Sequence, residues 1–234
     1  MSNPSNYDTY PAMKQTSNIY ILGAGNFGMR AAQRLREKSP EAKITVVDCD
    51  KHALTVPADL GFETAPMDAI SFLLLNEKRM APEDWIVPAV PIHVAYEWAR
   101  QKIRKENRFE EMAVPREVEA HLPNPTRGEQ RQVFASNATW QCPDDCPEPE
   151  DVCTVTGEPR PQILCDALSA MTVPGFRSVA IVSLQMAPGV GGFQLVAFRQ
   201  AMTEILAEPG KILFSTACKC HGVLHAFIWR PADE

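Results

Sequence analysis

Residues 19-IYILGAGNFGMRAAQRLREK-38 decide the fold. The first four are apolar, two of them β-branched, and they end at a glycine. That pattern suits a strand buried on both faces of a parallel sheet. The glycines then fall at 23, 25 and 28. Gly23 permits a tight turn out of the strand. Gly25 lets the backbone approach a pyrophosphate, and Gly28 lets the following helix pack against the strand. Phe27, Ala31 and Leu35 recur every four residues with basic residues on the other side, so an amphipathic helix follows, and Pro40 ends it.

Working outward, 43-KITVVDCD-50 reads as the second strand, with Asp48 at its carboxyl end. Strand, glycine turn, helix and strand make a βαβ unit. The helix N-terminus offers free N–H groups and its positive dipole end to phosphates. Asp48 stands twenty residues past Gly28, where an acidic side chain accepts hydrogen bonds from an adenosine ribose. The expected ligand is a dinucleotide held by Gly23, Gly25, Asn26, Phe27, Gly28, Asp48 and Asp50. Asp48 favours NAD(H) over NADP(H), a preference that Lys51 and His52 soften.

The run IYILGAGNFGMRAAQRL…ITVVDCD resembles the nucleotide-binding domain of Trk-type potassium-uptake regulators (RCK, or TrkA-N, domains), over about residues 18–105. Asp48 and Asp50 match the acidic pair that closes the second strand in that family. The resemblance implies a Rossmann-like fold, NAD(H) as ligand and a regulatory role in potassium transport, without turnover. Its implied partners are a membrane transporter and a second copy of the chain.

A second strand-to-helix unit is expected at 85-WIVPAVP-91 and 92-IHVAYEWARQKIRK-105, with Ala95, Trp98, Ala99 and Ile103 on one face. His93 lies just past that strand. It is a candidate to relay a proton or polarise a carbonyl, or it is simply part of the first helical turn. Farther on, 178-SVAIVSLQ-185 reads as a buried strand, 187-APGVGG-192 as a loop and 193–207 as a helix. Gly189, Gly191 and Gly192 could cradle a phosphate there, or form a plain turn. The strands 211-KILFSTA-217 and 223-VLHAFIW-229 suggest a hairpin around CKCHG.

Between these halves, 142-CPDDCPEPEDVCTVTGEPRPQILC-165 places four cysteines in 24 residues. Cys142, Cys146, Cys153 and Cys165 are spaced C-x3-C-x6-C-x11-C, which lacks the paired C-x2-C turns of structural zinc sites. Iron–sulfur clusters accept irregular spacings, often with proline after a ligand, as at Pro143 and Pro147. An iron–sulfur cluster, zinc and no metal at all remain the alternatives. Cys218, Cys220 and His221 are possible substitute ligands, a redox pair or a plain turn. Cys49 reads as structural.

The totals frame these readings. The chain has 234 residues, a net charge of −6 and 45% apolar residues. No basic stripe is available for nucleic acid, and no apolar run approaches the roughly 20 residues needed to span a bilayer. The polar N-terminus carries no secretory pattern, and seven cysteines suit a disulfide framework poorly, so the cytoplasm is the expected compartment. The expected organisation is α/β: a tail at 1–17, a Rossmann-like parallel sheet over 18–130, and a Cys-rich metal-binding loop with a small α/β segment over 131–234, possibly continuing the same sheet. The function read from this is a nucleotide- or redox-sensing module. The alternatives are an NAD(P)-dependent oxidoreductase using an iron–sulfur cluster, and a structural zinc protein with a vestigial nucleotide fold. No acid–base pair against the nicotinamide position is recognisable, which favours the binding module.

Overall fold

The structure is a computed structural model that describes residues 17–232; all but Ser17 of the expected N-terminal tail lies outside the described residues. In chain order the elements are β1 (Ile19–Leu22), α1 (Asn26–Lys38), β2 (Ile44–Asp48), α2 (Thr55–Asp59), β3 (Glu63–Pro66), α3 (Ala69–Asn76), β4 (Trp85–Pro88), α4 (Val94–Ile103), β5 (Asn107–Met112), α5 (Arg116–Glu119), β6 (Thr126–Arg127), β7 (Val133–Ser136), α6 (Leu164–Ser169), β8 (Arg177–Val182), β9 (Leu184–Ala187), β10 (Val190–Gln194), α7 (Leu195–Leu206), β11 (Gly210–Ala217) and β12 (His221–Pro231).

Two sheets result. The first has the order β3-β2-β1-β4-β10-β9. Its first four strands are mutually parallel, while β10 and β9 add an antiparallel hairpin at one edge. β1 is central, and Ile19, Ile21 and Leu22 are fully buried, which is why its residues form a continuous apolar run. The second sheet runs β6-β7-β12-β11-β8, with β5 also paired to β12. Only β8 and β11 run parallel in it.

The sheets interleave along the chain. β5 follows the last parallel strand of the first sheet directly in sequence but pairs in the second. The stretch 178–185 divides at Ser183, with β8 in the second sheet and β9 in the first. The expected loop 187-APGVGG-192 is a hairpin turn at Pro188-Gly189, and Gly191 and Gly192 are strand residues. Their backbones serve the pairing with β9, so this stretch is not a strand-to-helix phosphate loop.

Three cores tie these layers together. One side of the first sheet packs on α1. Its other side meets α3, α4 and α7, which also cover the second sheet through Val179, Ile181, Ile212, Phe214 and Phe227. Trp98 of α4 stacks on Phe198 of α7 with centroids 3.7 Å apart, filling the centre of that layer. The far side of the second sheet is closed by α5 and α6. The face of α1 differs from expectation: Gly28, Ala31, Ala32 and Leu35 are buried, while Phe27 is 63% exposed.

Candidate functional site

The glycine loop leaves β1 at the point where its neighbours are β2 on one side and β4 on the other. This is the topological switch point, outside whose carboxyl ends open α/β sheets take their ligands. Gly23 has φ 113°, a left-handed value that a side chain would resist, and a Cβ there would sit 2.6 Å from the Ala89 carbonyl oxygen. A Cβ on Gly28 would overlap the Gly23 carbonyl. Gly25 is different. A Cβ on it meets nothing within 4 Å, so the space above it is open to an incoming group. Gly25 is also the N-cap of α1, with no side-chain cap and no acidic residue in the first turn. The first N–H groups of α1 therefore lack a side-chain anion of their own.

Asp48 braces this loop. Its Oδ2 accepts from the Ala24 N–H at 2.7 Å and its Oδ1 from the Asp50 N–H at 2.8 Å. Asp50 in turn accepts from the His52 N–H at 2.8 Å. The acidic pair thus shapes the turn after β2 and holds the carboxylate of Asp48 beside the glycines. Asn26 and Phe27 are exposed at the start of α1.

Phe27 is also one wall of a cavity of about 270 Å³ lined by Cys142, Cys146, Cys153, Cys218, Cys220 and His221. The cysteine loop is pinned beside the glycine loop from several directions. Arg30 of α1 pairs with Asp144 at 2.9 Å. Arg34 donates to the Pro188 carbonyl. The Cys146 carbonyl accepts from Gln185 Nε2 at 2.7 Å and from the Gly189 N–H at 2.9 Å. Glu148, although acidic, is buried and accepts from the Lys219 N–H at 3.1 Å.

The thiols differ in character. Burial, followed by the charges of Cys146, Cys220 and Cys153, pushes Cys142 up. Cys220 is also raised by burial, against the opposing pull of Arg160, whose Nε donates to its sulfur at 2.9 Å. Cys153 is lowered by backbone N–H groups of Thr156 and Val155. The charges of Cys146, Cys220 and Cys153 all act on Cys142. Cys165 is not part of this group. It is fully buried in α6 among Leu164, Leu168 and Leu213, and burial pushes its thiol up to about 12. Its sequence position beside the loop is misleading, because α6 turns the side chain into the second core. Cys49 is exposed.

Cys142 Sγ lies 3.6 Å from His221 Nε2. Among the described residues, no three His, Cys, Asp or Glu side chains converge closely enough to hold one metal ion. The thiols ring a space and do not meet at a point.

A second cavity, of about 370 Å³, adjoins the first and shares Ser183, Gly191, Cys218 and His221 with it. It begins at Pro88, the end of β4, and holds His93 and Thr216. His93 is the N-cap of α4 and only 7% exposed. Its Nε2 is 2.9 Å from Thr216 Oγ1, and its Nδ1 is 2.9 Å from His225 Nδ1. His225 stacks on Tyr96 with centroids 3.8 Å apart. Burial holds His93 well below the ordinary histidine value and lowers His225 to about 4. Both rings are neutral at neutral pH. Thr216 and His225 stand more than 120 positions beyond His93, and no local pattern pairs them with it.

With this geometry in view, the comparisons are informative. A family model, AF_1314_C, described as the C-terminal domain of an uncharacterized protein, matches residues 95–230. The chain belongs to this family. The domain it defines begins in α4 and takes in the cysteine loop, the β9–β10 hairpin and the second sheet. A protein of Archaeoglobus fulgidus, described as an uncharacterized protein, is 24% identical over 220 residues, covering 88% of this chain and 97% of its own length. That likeness extends beyond the family domain into the half that carries the glycine loop.

Proposed function

We propose that the protein binds NAD(H) at the glycine loop and an iron–sulfur cluster in the cysteine cavity, and that it serves as a nucleotide- and redox-sensing module. The observation that carries the reading is the open space above Gly25 at the sheet's switch point, flanked by two glycines that tolerate no Cβ. A pyrophosphate needs close backbone approach and free N–H groups, and this loop offers both. Asp48 would accept from the adenosine ribose while sharing its carboxylate with the Ala24 and Asp50 N–H groups.

For the cluster, the supporting ligand set is Cys142, Cys146, Cys153 and Cys220. A tetrahedral zinc holds its donors at about 2.0–2.3 Å and so needs them within about 4 Å of one another. Cys142 and His221 meet that spacing and Cys218 Sγ lies 4.0 Å from His221 Nδ1, but among the described residues no three donors converge on one point. The cavity is lined by these four thiols and by Cys218, and thiols spread around a space suit a polynuclear cluster, which has a volume of its own. N–H groups from Arg160, Thr156 and Val155 directed at the sulfurs are the kind of hydrogen bonding that sets a cluster's potential. Such a cluster would supply one-electron chemistry. Among the described residues no helix is long and apolar enough to cross a membrane.

The test is anaerobic purification followed by metal and sulfide analysis, a visible spectrum and thermal denaturation with NADH. Brown protein containing iron and sulfide, stabilised by NADH, is the expected result. Colourless protein containing zinc would remove the cluster, and equal stabilisation by ATP or S-adenosylmethionine would remove the NAD(H) assignment.

A further inference from the structure

We infer that the cavity between the end of β4 and the second sheet binds a small neutral alcohol or phenol, with Thr216 as the residue that receives its hydroxyl. The inference goes beyond the dinucleotide and cluster readings and uses neither group.

The floor of the cavity comes from strand register. Thr216 of β11 pairs with Val223 of β12, and Val223 pairs with Phe134 of β7. Directly paired residues on neighbouring strands project from the same face of a sheet, so these three side chains form one row. On the other side of β11 the row continues into Ile181 of β8, which is buried in the core that the helices cover. That cover stops at His93, the N-cap of α4. The His93 ring bonds Thr216 and lies against Phe214 with centroids 5.8 Å apart. Beyond it the row opens, and Phe134 is 45% exposed. Pro88, Ile92 and Phe193 line the same space from the side of the first sheet. An apolar body laid among these groups would take Phe134 and Val223 out of water, the main source of affinity in sites of this kind.

Charge narrows the ligand. Among the described residues, none that lines the cavity is Asp, Glu, Lys or Arg. A charged molecule would give up its hydration and find no counter-charge there. Polar groups are few. Ser183, Cys218 and His221 lie on the side shared with the cysteine cavity, whereas Thr216 stands in the apolar row itself. Its Oγ1 carries one hydrogen and two lone pairs, and the 2.9 Å bond with His93 Nε2 uses one of the three. Whichever partner supplies that hydrogen, at least one lone pair stays available. The ligand group must therefore be able to donate, which a hydroxyl can do and an ether or a ketone cannot. His93 is held between Thr216 and His225, at 2.9 Å from each. Both its ring nitrogens are thereby engaged, so it positions Thr216 and leaves the ligand to it. The volume of about 370 Å³ sets the size. Benzene fits a cavity of about 150 Å³, so one ring with a hydroxyl and a short substituent fits here.

NMR titration of the full chain with benzyl alcohol, toluene, benzoate and benzylamine tests this. Benzyl alcohol and toluene should saturate wild type, and the two charged compounds should bind at least about tenfold more weakly. Thr216→Val should weaken benzyl alcohol about 2- to 10-fold, the loss of one hydrogen bond, and leave toluene unchanged. Thr216→Ser keeps the hydroxyl and should match wild type, and Phe134→Ala should weaken both neutral compounds. Benzoate or benzylamine bound as tightly as benzyl alcohol, or no saturable binding of benzyl alcohol, overturns the inference whatever the variants do. Equal losses for benzyl alcohol and toluene in Thr216→Val overturn the role of Thr216. None of these results bears on NADH binding, which is measured separately.

Discussion

The glycine loop separates two effects that are usually entangled, and one pair of substitutions exposes them. In Gly28→Ala the new Cβ would overlap the Gly23 carbonyl oxygen and lie 2.8 Å from its carbon, both of them backbone atoms. Real Cβ atoms essentially never come within 3.0 Å of a neighbour, so α1 must move off β1. Overpacking of this kind costs about 1–3 kcal/mol or more, and alanine's helix preference returns at most about 1 kcal/mol. A net loss of about 2 kcal/mol corresponds to a Tm lower by about 4–8 °C for a chain of this size. In Gly25→Ala nothing in the protein is touched. Its stability should fall by no more than about 1 kcal/mol, the cost of a poorer N-cap. Its Cβ, however, occupies the approach to the first N–H groups of α1. Differential scanning fluorimetry with and without NADH reads both effects. Gly28→Ala should melt early, and Gly25→Ala should melt near wild type but gain nothing from NADH. If Gly25→Ala is stabilised by NADH as wild type is, the reasoning about the loop is wrong.

Other expectations follow from the same structure. Asp48→Ala removes the acceptor for the Ala24 N–H and should cost about 1.5–3 kcal/mol, together with the NADH response, both readable in urea denaturation. Cys220→Ala should abolish visible absorbance after anaerobic purification, whereas Cys165→Ala should keep it and lose about 1–2 kcal/mol from the core. The folded-state value of His225, about 4, lies below its ordinary 6.5. The unfolded chain therefore binds the extra proton between those values, so stability is full above about pH 6.5 and falls as pH drops toward 4. The drop from this residue is about 3 kcal/mol, with His93, Tyr96, Arg100 and Glu111 as its charged and titratable surroundings. Urea midpoints across that range should show it, and a His225→Gln variant should flatten the slope.

How much of this was legible in the sequence depends on the distance over which each feature is encoded. β1, the glycine loop, α1 and β2 form a local unit, and the spacing of Ile19, Gly23, Gly28, Leu35 and Asp48 carries their arrangement. The Phe27 orientation was not legible. Its spacing to Ala31 fits a buried face, but Phe27 sits at the start of the helix and lines the cysteine cavity. The β9–β10 hairpin was hidden because its glycines resemble a loop, although Gly191 and Gly192 lie where the hairpin's backbone is close to Ser183 and Ile86. Cys165 looked like the fourth member of the cysteine motif, yet Leu164 and Leu168 flank it on a helix that packs inward. Cys220, 55 positions farther on in the turn between β11 and β12, lines the cysteine cavity instead, and only tertiary folding brings it there. The His93 chain is the extreme case. The sequence offers a lone histidine, and the fold supplies its partners from β11 and β12.

The most direct test of the central claim is calorimetric titration of the anaerobically purified chain with NADH. The account predicts saturable binding of one equivalent, displaced by NAD⁺ and absent from Gly25→Ala. No binding of NADH, or binding that Gly25→Ala leaves unchanged, would contradict it.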